Sequence, residues 1–70
     1  MANAIELIVD GYVSLNDRRA LDDLRMQRRK LVVELKARTG FDCRTTIQQI
    51  EEDIIVIEAG LAQLDGPATT

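Results

Sequence analysis

The sequence predicts an all-α fold: an antiparallel helical hairpin of coiled-coil type, preceded by a short N-terminal helical segment and dimerising into a four-helix bundle. Three observations carry this prediction. The first two are a heptad repeat of apolar residues in the last third of the chain and opposite net charges on the two longest amphipathic segments. The third is size. A chain of 70 residues with one cysteine and no histidine can build neither an internal disulfide nor a Cys/His zinc site, so it depends on helix packing or oligomerisation.

Composition is typical of a folded helical protein. Hydrophobic residues make up 46% of the chain and charged residues 30%, with a net charge of −3 and a pI near 4.7. A chain of this charge is not expected to bind nucleic acid or an anionic membrane surface. The first 15 residues lack a basic start, and no run reaches the ~20 apolar residues of a membrane span. We therefore expect no signal peptide, no membrane segment and a cytoplasmic location.

The first segment, residues 2 to 13, has two interpretations. Ile5, Ile8 and Tyr12, followed by Leu15, repeat at the 3–4–3 spacing of a helix. The Asp-Gly pair at residues 10 and 11, lying between two apolar runs, is instead typical of a β-hairpin turn. We expect the helix, because an isolated two-stranded ribbon is marginal in water and one glycine costs a helix only about 1 kcal/mol.

The second segment, residues 15 to 39, is predicted to be a long amphipathic helix. Ser14 and Asn16 are its candidate N-caps, and Ser14 with Asp17 resembles a capping box. Gly40 is expected to end the helix in a left-handed conformation. The connection that follows, about residues 39 to 43, is short enough to predict an antiparallel neighbour.

The third segment, residues 44 to 64, is predicted to be a second long helix, with residues 66 to 70 as a flexible tail. Asp42, Thr45 and Thr46 are alternative caps for its start. Its apolar residues are spaced 3, 4, 3, 4, 3 along the chain, and the second segment carries a matching but less regular set. Together they form the predicted hairpin seam: Leu21, Leu24, Leu31, Leu35, Ile47, Ile50, Ile54, Ile57, Leu61 and Leu64.

The charges predict the register of this hairpin. Residues 15 to 39 carry eight basic and four acidic groups, whereas residues 44 to 65 carry one basic and five acidic groups. In an antiparallel pair that turns near residues 41 and 42, facing residues have numbers that sum to about 83. Arg25 then faces Glu58, and Arg18 faces Asp65. We predict these two inter-helix ion pairs, the alternative being that the four charges point separately into solvent.

Apolar residues remain that the seam does not use, including Met26 and Val33 on the second segment. A helix with apolar residues on two sides is covered on two sides. We therefore predict a homodimer or higher oligomer, the alternative being a monomeric three-helix bundle with scattered exposed aliphatic residues. The candidate interface is Ile5, Ile8, Tyr12, Ile55, Val56, Ala59 and Ala62.

The sequence offers no constellation for catalysis, so no catalytic, cofactor-binding or metal-binding residue is predicted. Glu51, Glu52 and Asp53 fan around a helix and are expected to form a solvated acidic face, and Cys43 has no histidine or second cysteine beside it. Arg28 stands at a seam position and is expected to pair with Glu51 or Glu58.

We predict a small non-enzymatic protein–protein interaction module that binds itself and serves as a subunit or adaptor of a larger assembly. The alternative is a DNA-binding regulator of the ribbon-helix-helix type, which requires residues 5 to 15 to be a strand.

Overall fold

The computed structural model describes residues 4–38 and 43–65, and within these two stretches the chain forms three helices and no strand. They are α1 (Ala4–Ser14), α2 (Arg18–Ala37) and α3 (Arg44–Asp65), of 11, 20 and 22 residues. The all-α class is confirmed. The strand alternative for residues 5 to 15 is wrong, since α1 occupies most of that stretch. The predictions for Gly40, for Asp42 and for the tail at 66 to 70 fall outside the described residues.

A tight corner of three residues joins α1 to α2. Asn16 adopts a left-handed conformation with φ of 57°, which asparagine tolerates better than most residues. Its N–H donates to the Val13 carbonyl at 3.0 Å, and the Asp17 N–H donates to the Tyr12 carbonyl at 2.9 Å. This pair of bonds is the Schellman pattern that closes the carboxyl end of a helix. The chain therefore stops α1 with an asparagine where glycine is more usual.

The N-cap of α2 is Asp17, and the predicted capping role of Ser14 is wrong. The Asp17 carboxylate accepts from the Ala20 N–H at 3.1 Å, whereas Ser14 is the last residue of α1. Thr45 and Thr46 lie inside α3 rather than before it, because that helix begins at Arg44. At the start of α3, the Ile47 N–H donates a hydrogen bond to the Cys43 carbonyl at 2.8 Å.

The centre of the fold is a small aliphatic cluster to which all three helices contribute. Its buried members are Ile5, Val9, Leu21, Ile57 and Leu61, and Leu21 and Ile57 are 0% exposed. Two further buried residues, Val32 and Ile50, lie on α2 and α3 outside this cluster. The three-helix core therefore occupies one end of the α2–α3 pair, and the other end has only two helices to cover its apolar residues.

The predicted α2 seam needs one correction. Val32 is buried, at 8% exposed, whereas the predicted seam residue Leu31 is 39% exposed. Leu24, one heptad earlier than Leu31, packs against the central cluster beside Tyr12 of α1. Ala4, the first described residue of α1, lies level with Arg28, so the described part of α1 does not extend as far as Leu31. The side of α2 that carries both leucines is therefore covered at Leu24 and open at Leu31.

Gly60 allows α1 to approach α3 closely. A Cβ atom built on Gly60 would lie 2.5 Å from Val9 Cγ1 and 3.3 Å from Val13 Cγ2, and separations under about 3.4 Å are tighter than ordinary van der Waals contact. Gly11, on the exposed side of α1, has nothing within 4 Å of the corresponding position. The two helical glycines therefore differ: one is required by packing and the other is not.

Within residues 4–38 and 43–65, no helix is both long enough and apolar enough to span a membrane.

We expect Asp17→Ala to lower the free energy of unfolding by about 1 kcal/mol, because it removes the N-cap of α2. Ser14→Ala is the matched control and should change it by less than about 0.5 kcal/mol, since this exposed side chain ends α1 and caps nothing. Urea denaturation followed by circular dichroism measures both. Equal losses in the two variants would contradict the assignment of the cap to Asp17.

We expect opposite effects from alanine at the two helical glycines. Gly11→Ala should raise the free energy of unfolding by about 0.5–1 kcal/mol, because alanine loses less backbone entropy in a helix. Gly60→Ala should lower it by about 1–3 kcal/mol, because the new methyl group overlaps Val9. The same denaturation experiment compares them, and stabilisation by Gly60→Ala would show that α1 does not pack against α3 at this point.

Candidate interaction surface

The two predicted inter-helix ion pairs both occur between α2 and α3. Arg18 Nη1 contacts the Asp65 carboxylate, and Arg25 Nη1 lies 3.8 Å from Glu58 Oε2. Asp22 also contacts both arginines from within α2, at 3.7 Å from Arg18 Nε and 3.2 Å from Arg25 Nη2. The beginning of α2 therefore lies beside the end of α3, and the two helices run in opposite directions.

Two further ion pairs extend this line of contacts towards the other end of the pair. Arg29 Nη2 lies 2.7 Å from Glu58 Oε2, and Lys36 Nζ lies 3.4 Å from Glu51 Oε2. Neither pair was predicted, although the basic residues at positions 18, 25, 29 and 36 recur at a spacing that keeps them on one side of a helix. Glu58 thus forms ion pairs with two arginines one helical turn apart, and it accepts a hydrogen bond from Arg29.

Arg28 has a partner other than the two predicted for it. Its Nε lies 3.9 Å from Asp53 Oδ2, and the two side chains are 30% and 18% exposed. Asp53 also accepts from Gln49 Nε2 at 3.4 Å, so it is not simply part of a solvated acidic face. Ala4 and Ile8 of α1 line the same crevice. The start of α1 therefore shields the Arg28–Asp53 ion pair. The heptad pattern of α2 and α3 does not predict where α1 lies, so this pairing was not predicted.

The side of the α2–α3 pair that carries the Glu58 and Glu51 contacts retains exposed apolar side chains. Met26, Val33 and Ile55 are 67%, 67% and 66% exposed. Met26 and Val33 lie one heptad apart on α2, with Arg29 between them at i+3 and i−4, so all three share a side of the helix. Ile55 has Glu51 and Glu58 as its i−4 and i+3 neighbours on α3.

We call this surface the open face, and define it by Met26, Val33, Ile54 and Ile55. A shallow groove of about 350 Å³ lies at the part of this face formed by Val33 and Ile54. Val32 and the charged residues Arg29 and Glu51 also line it. The groove has an aliphatic floor and a rim of one basic and one acidic residue. Such a groove is complementary to a partner surface on which an aliphatic side chain lies between an acidic and a basic residue.

A second set of exposed apolar residues lies on α1 and in the turn after it. Leu7, Ile8 and Leu15 are 64%, 45% and 74% exposed. Four of the seven candidate interface residues therefore stay at the surface, and three do not. Ile8, Ile55, Ala59 and Ala62 are exposed, whereas Ile5 is buried in the central cluster and Tyr12 and Val56 are half-buried against it.

The two long helices carry equal and opposite charge. Residues 18 to 37 include seven basic and three acidic side chains, a net charge of +4, and residues 44 to 65 include one basic and five acidic side chains, a net charge of −4. Although the whole chain has a net charge of only −3, its charge is therefore strongly separated between a basic α2 and an acidic α3. The division between the two charges runs along the open face, through the ion pairs described above.

The titratable groups suggest no other kind of site among the described residues. No group of three or more carboxylate or cysteine side chains there is placed to hold a metal ion. Cys43 is a free, half-buried thiol immediately before α3. No side-chain nitrogen or oxygen in the described part of the chain is buried without a hydrogen-bond partner.

We expect Glu58→Lys to lower the free energy of unfolding by about 1–2 kcal/mol, because it removes two partly exposed ion pairs and sets a cation beside Arg25 and Arg29. Glu52→Lys changes the net charge equally but touches no basic side chain of α2, so we expect less than about 0.5 kcal/mol. Denaturation at low and high salt measures both. The difference should shrink in molar salt through screening, and a difference independent of salt would contradict an electrostatic origin.

Comparisons with family models, with curated proteins and with solved structures find no match to this chain.

Proposed function

We propose that this protein is a small non-enzymatic interaction module whose α2 and α3 form a coiled-coil-like helical hairpin, and that it acts as a homodimer within a larger assembly. Two hairpins make a four-helix bundle in this dimer, with the α1 helices attached outside it. The observation that carries the proposal is the open face, where three large apolar side chains, each about two-thirds exposed, lie beside the boundary between a basic and an acidic helix.

The size of the core supports self-association. Only seven hydrophobic side chains are buried among the described residues, and the sequence contains one cysteine and no histidine. A chain of this size without a disulfide or a metal commonly gains stability from a partner subunit. Covering the open face would remove further aliphatic surface from water, at roughly 25 cal/mol for each Å² buried.

The non-enzymatic part of the proposal rests on residue types. The chain has no histidine to act as a general base at neutral pH, and its carboxylates are distributed along helix faces rather than converging. The exposed apolar residues of α1, namely Leu7, Ile8 and Leu15, lie outside the proposed bundle. They are the surface through which the dimer would contact another protein of the assembly.

We expect sedimentation equilibrium at micromolar concentration to give twice the chain mass of 7.8 kDa. Association should also raise the apparent stability with protein concentration, because the dimer and the unfolded chain are linked by mass action. A strictly monomeric protein across the micromolar range, with a melting temperature that does not depend on concentration, would refute self-association.

A further inference from the structure

We propose that the open face is occupied by a second copy of this chain, related by a two-fold axis parallel to the helices, so that each basic α2 lies against the acidic α3 of its partner. This inference rests on the proposed homodimer and specifies which face it uses and in which arrangement. A closed dimer of identical chains uses the same patch on both partners. The open face is self-complementary because it contains one basic and one acidic half.

Two arrangements place two such faces together with two-fold symmetry, and the charges distinguish them. An axis across the helices sets α2 against α2 and α3 against α3, which opposes a charge of +4 to +4 and of −4 to −4. An axis along the helices sets α2 against the partner's α3 instead. Each basic helix then has an acidic neighbour on both sides, and all neighbouring helices in the bundle are antiparallel. Electrostatic complementarity of this kind fixes register and suppresses the wrong arrangement.

The ion pairs already on the open face suit this arrangement. Arg29 is bound to Glu58 through one terminal nitrogen and its side chain is 60% exposed, and a guanidinium has five N–H donors. Lys36 is similarly bound to Glu51 with its side chain 58% exposed. Both cations therefore retain donors that can bind carboxylates of the partner's α3, so the groove rim can be shared between two chains.

The competing apolar surface on α1 lacks this property. Residues 4 to 14 contain Glu6 and Asp10 and no basic residue, so a symmetric contact between two α1 helices brings only like charges together. Like charges across an interface disfavour it. Leu7 nevertheless provides a matched control, because it is 64% exposed and Ile55 is 66% exposed. Leu7 and Ile55 therefore lie on different surfaces but have nearly the same solvent exposure.

The first experiment locates the interface. Ile55→Arg and Val33→Arg should each raise the dimer Kd by more than about tenfold while the helical circular dichroism signal is retained, because a cation would replace an aliphatic side chain in the contact. Leu7→Arg should leave the Kd unchanged. If Leu7→Arg dissociates the dimer and the two open-face variants do not, the protein is still a dimer as proposed above, but the open face is not its interface.

The second experiment tests the symmetry by disulfide cross-linking. Two variants are made in a Cys43→Ser background, one with Val33→Cys and one with Ile55→Cys. They are mixed and oxidised, and mass spectrometry measures the amounts of the mixed disulfide dimer and of the two symmetric ones. Val33 lies in the same groove as Ile54, so an axis along the helices sets it near the partner's residue 55, and we expect the mixed disulfide to exceed both symmetric ones. Predominance of Val33→Cys joined to itself would show α2 against α2 and overturn the arrangement. A strictly monomeric wild-type protein would overturn the inference together with the proposed function.

Discussion

The packing of α1 against one end of the α2–α3 pair is the contact on which the rest of the structure depends. Leu21 and Ile57, the two completely buried side chains, lie in the cluster that this contact closes. Gly60 permits it, since a side chain there would meet Val9. Because α1 has only 11 residues, or about 16 Å of helix, it completes the core at one end only. The exposure of Leu31 follows from how little of the length of α2 and α3 the described part of α1 covers.

The heptad pattern predicted the seam of α3 better than that of α2, because the apolar period of α3 is the more regular one. In α3 the buried hydrophobic side chains, Ile50, Ile57 and Leu61, all belong to the predicted seam. In α2 the choice between Leu31 and Val32 depended on the position of a third helix, which no local pattern encodes. Opposite charges at fixed spacing on two helices contain information about their register. They predicted that Arg25 faces Glu58, and in the structure these two side chains are 3.8 Å apart.

Helix ends and side-chain partners were less accessible to sequence reasoning. Ser14, Asn16 and Asp17 are all good capping residues, and only the position of the α1–α2 corner decides that Asp17 fills the role. Arg28 was expected to pair with a carboxylate, but with Glu51 or Glu58 rather than with Asp53. The choice of Asp53 is linked to the position of α1, which shields that side of the α2–α3 pair. Likewise, Ile5 belongs to the core rather than to the surface because α1 turns it inward, a rotation that its short apolar run could not specify.

The corner at Asp17 has a consequence for how the protein unfolds. This one residue donates its N–H to Tyr12 of α1, accepts from Ala20 through its carboxylate, and accepts from the Leu21 N–H through its carbonyl at 3.4 Å. Fraying at the end of α1 therefore disturbs the geometry that starts α2, and the loss of the first turn of α2 removes a closing bond of α1. Because the two helices share this terminus, we expect the end of α1 and the first turn of α2 to open together rather than separately.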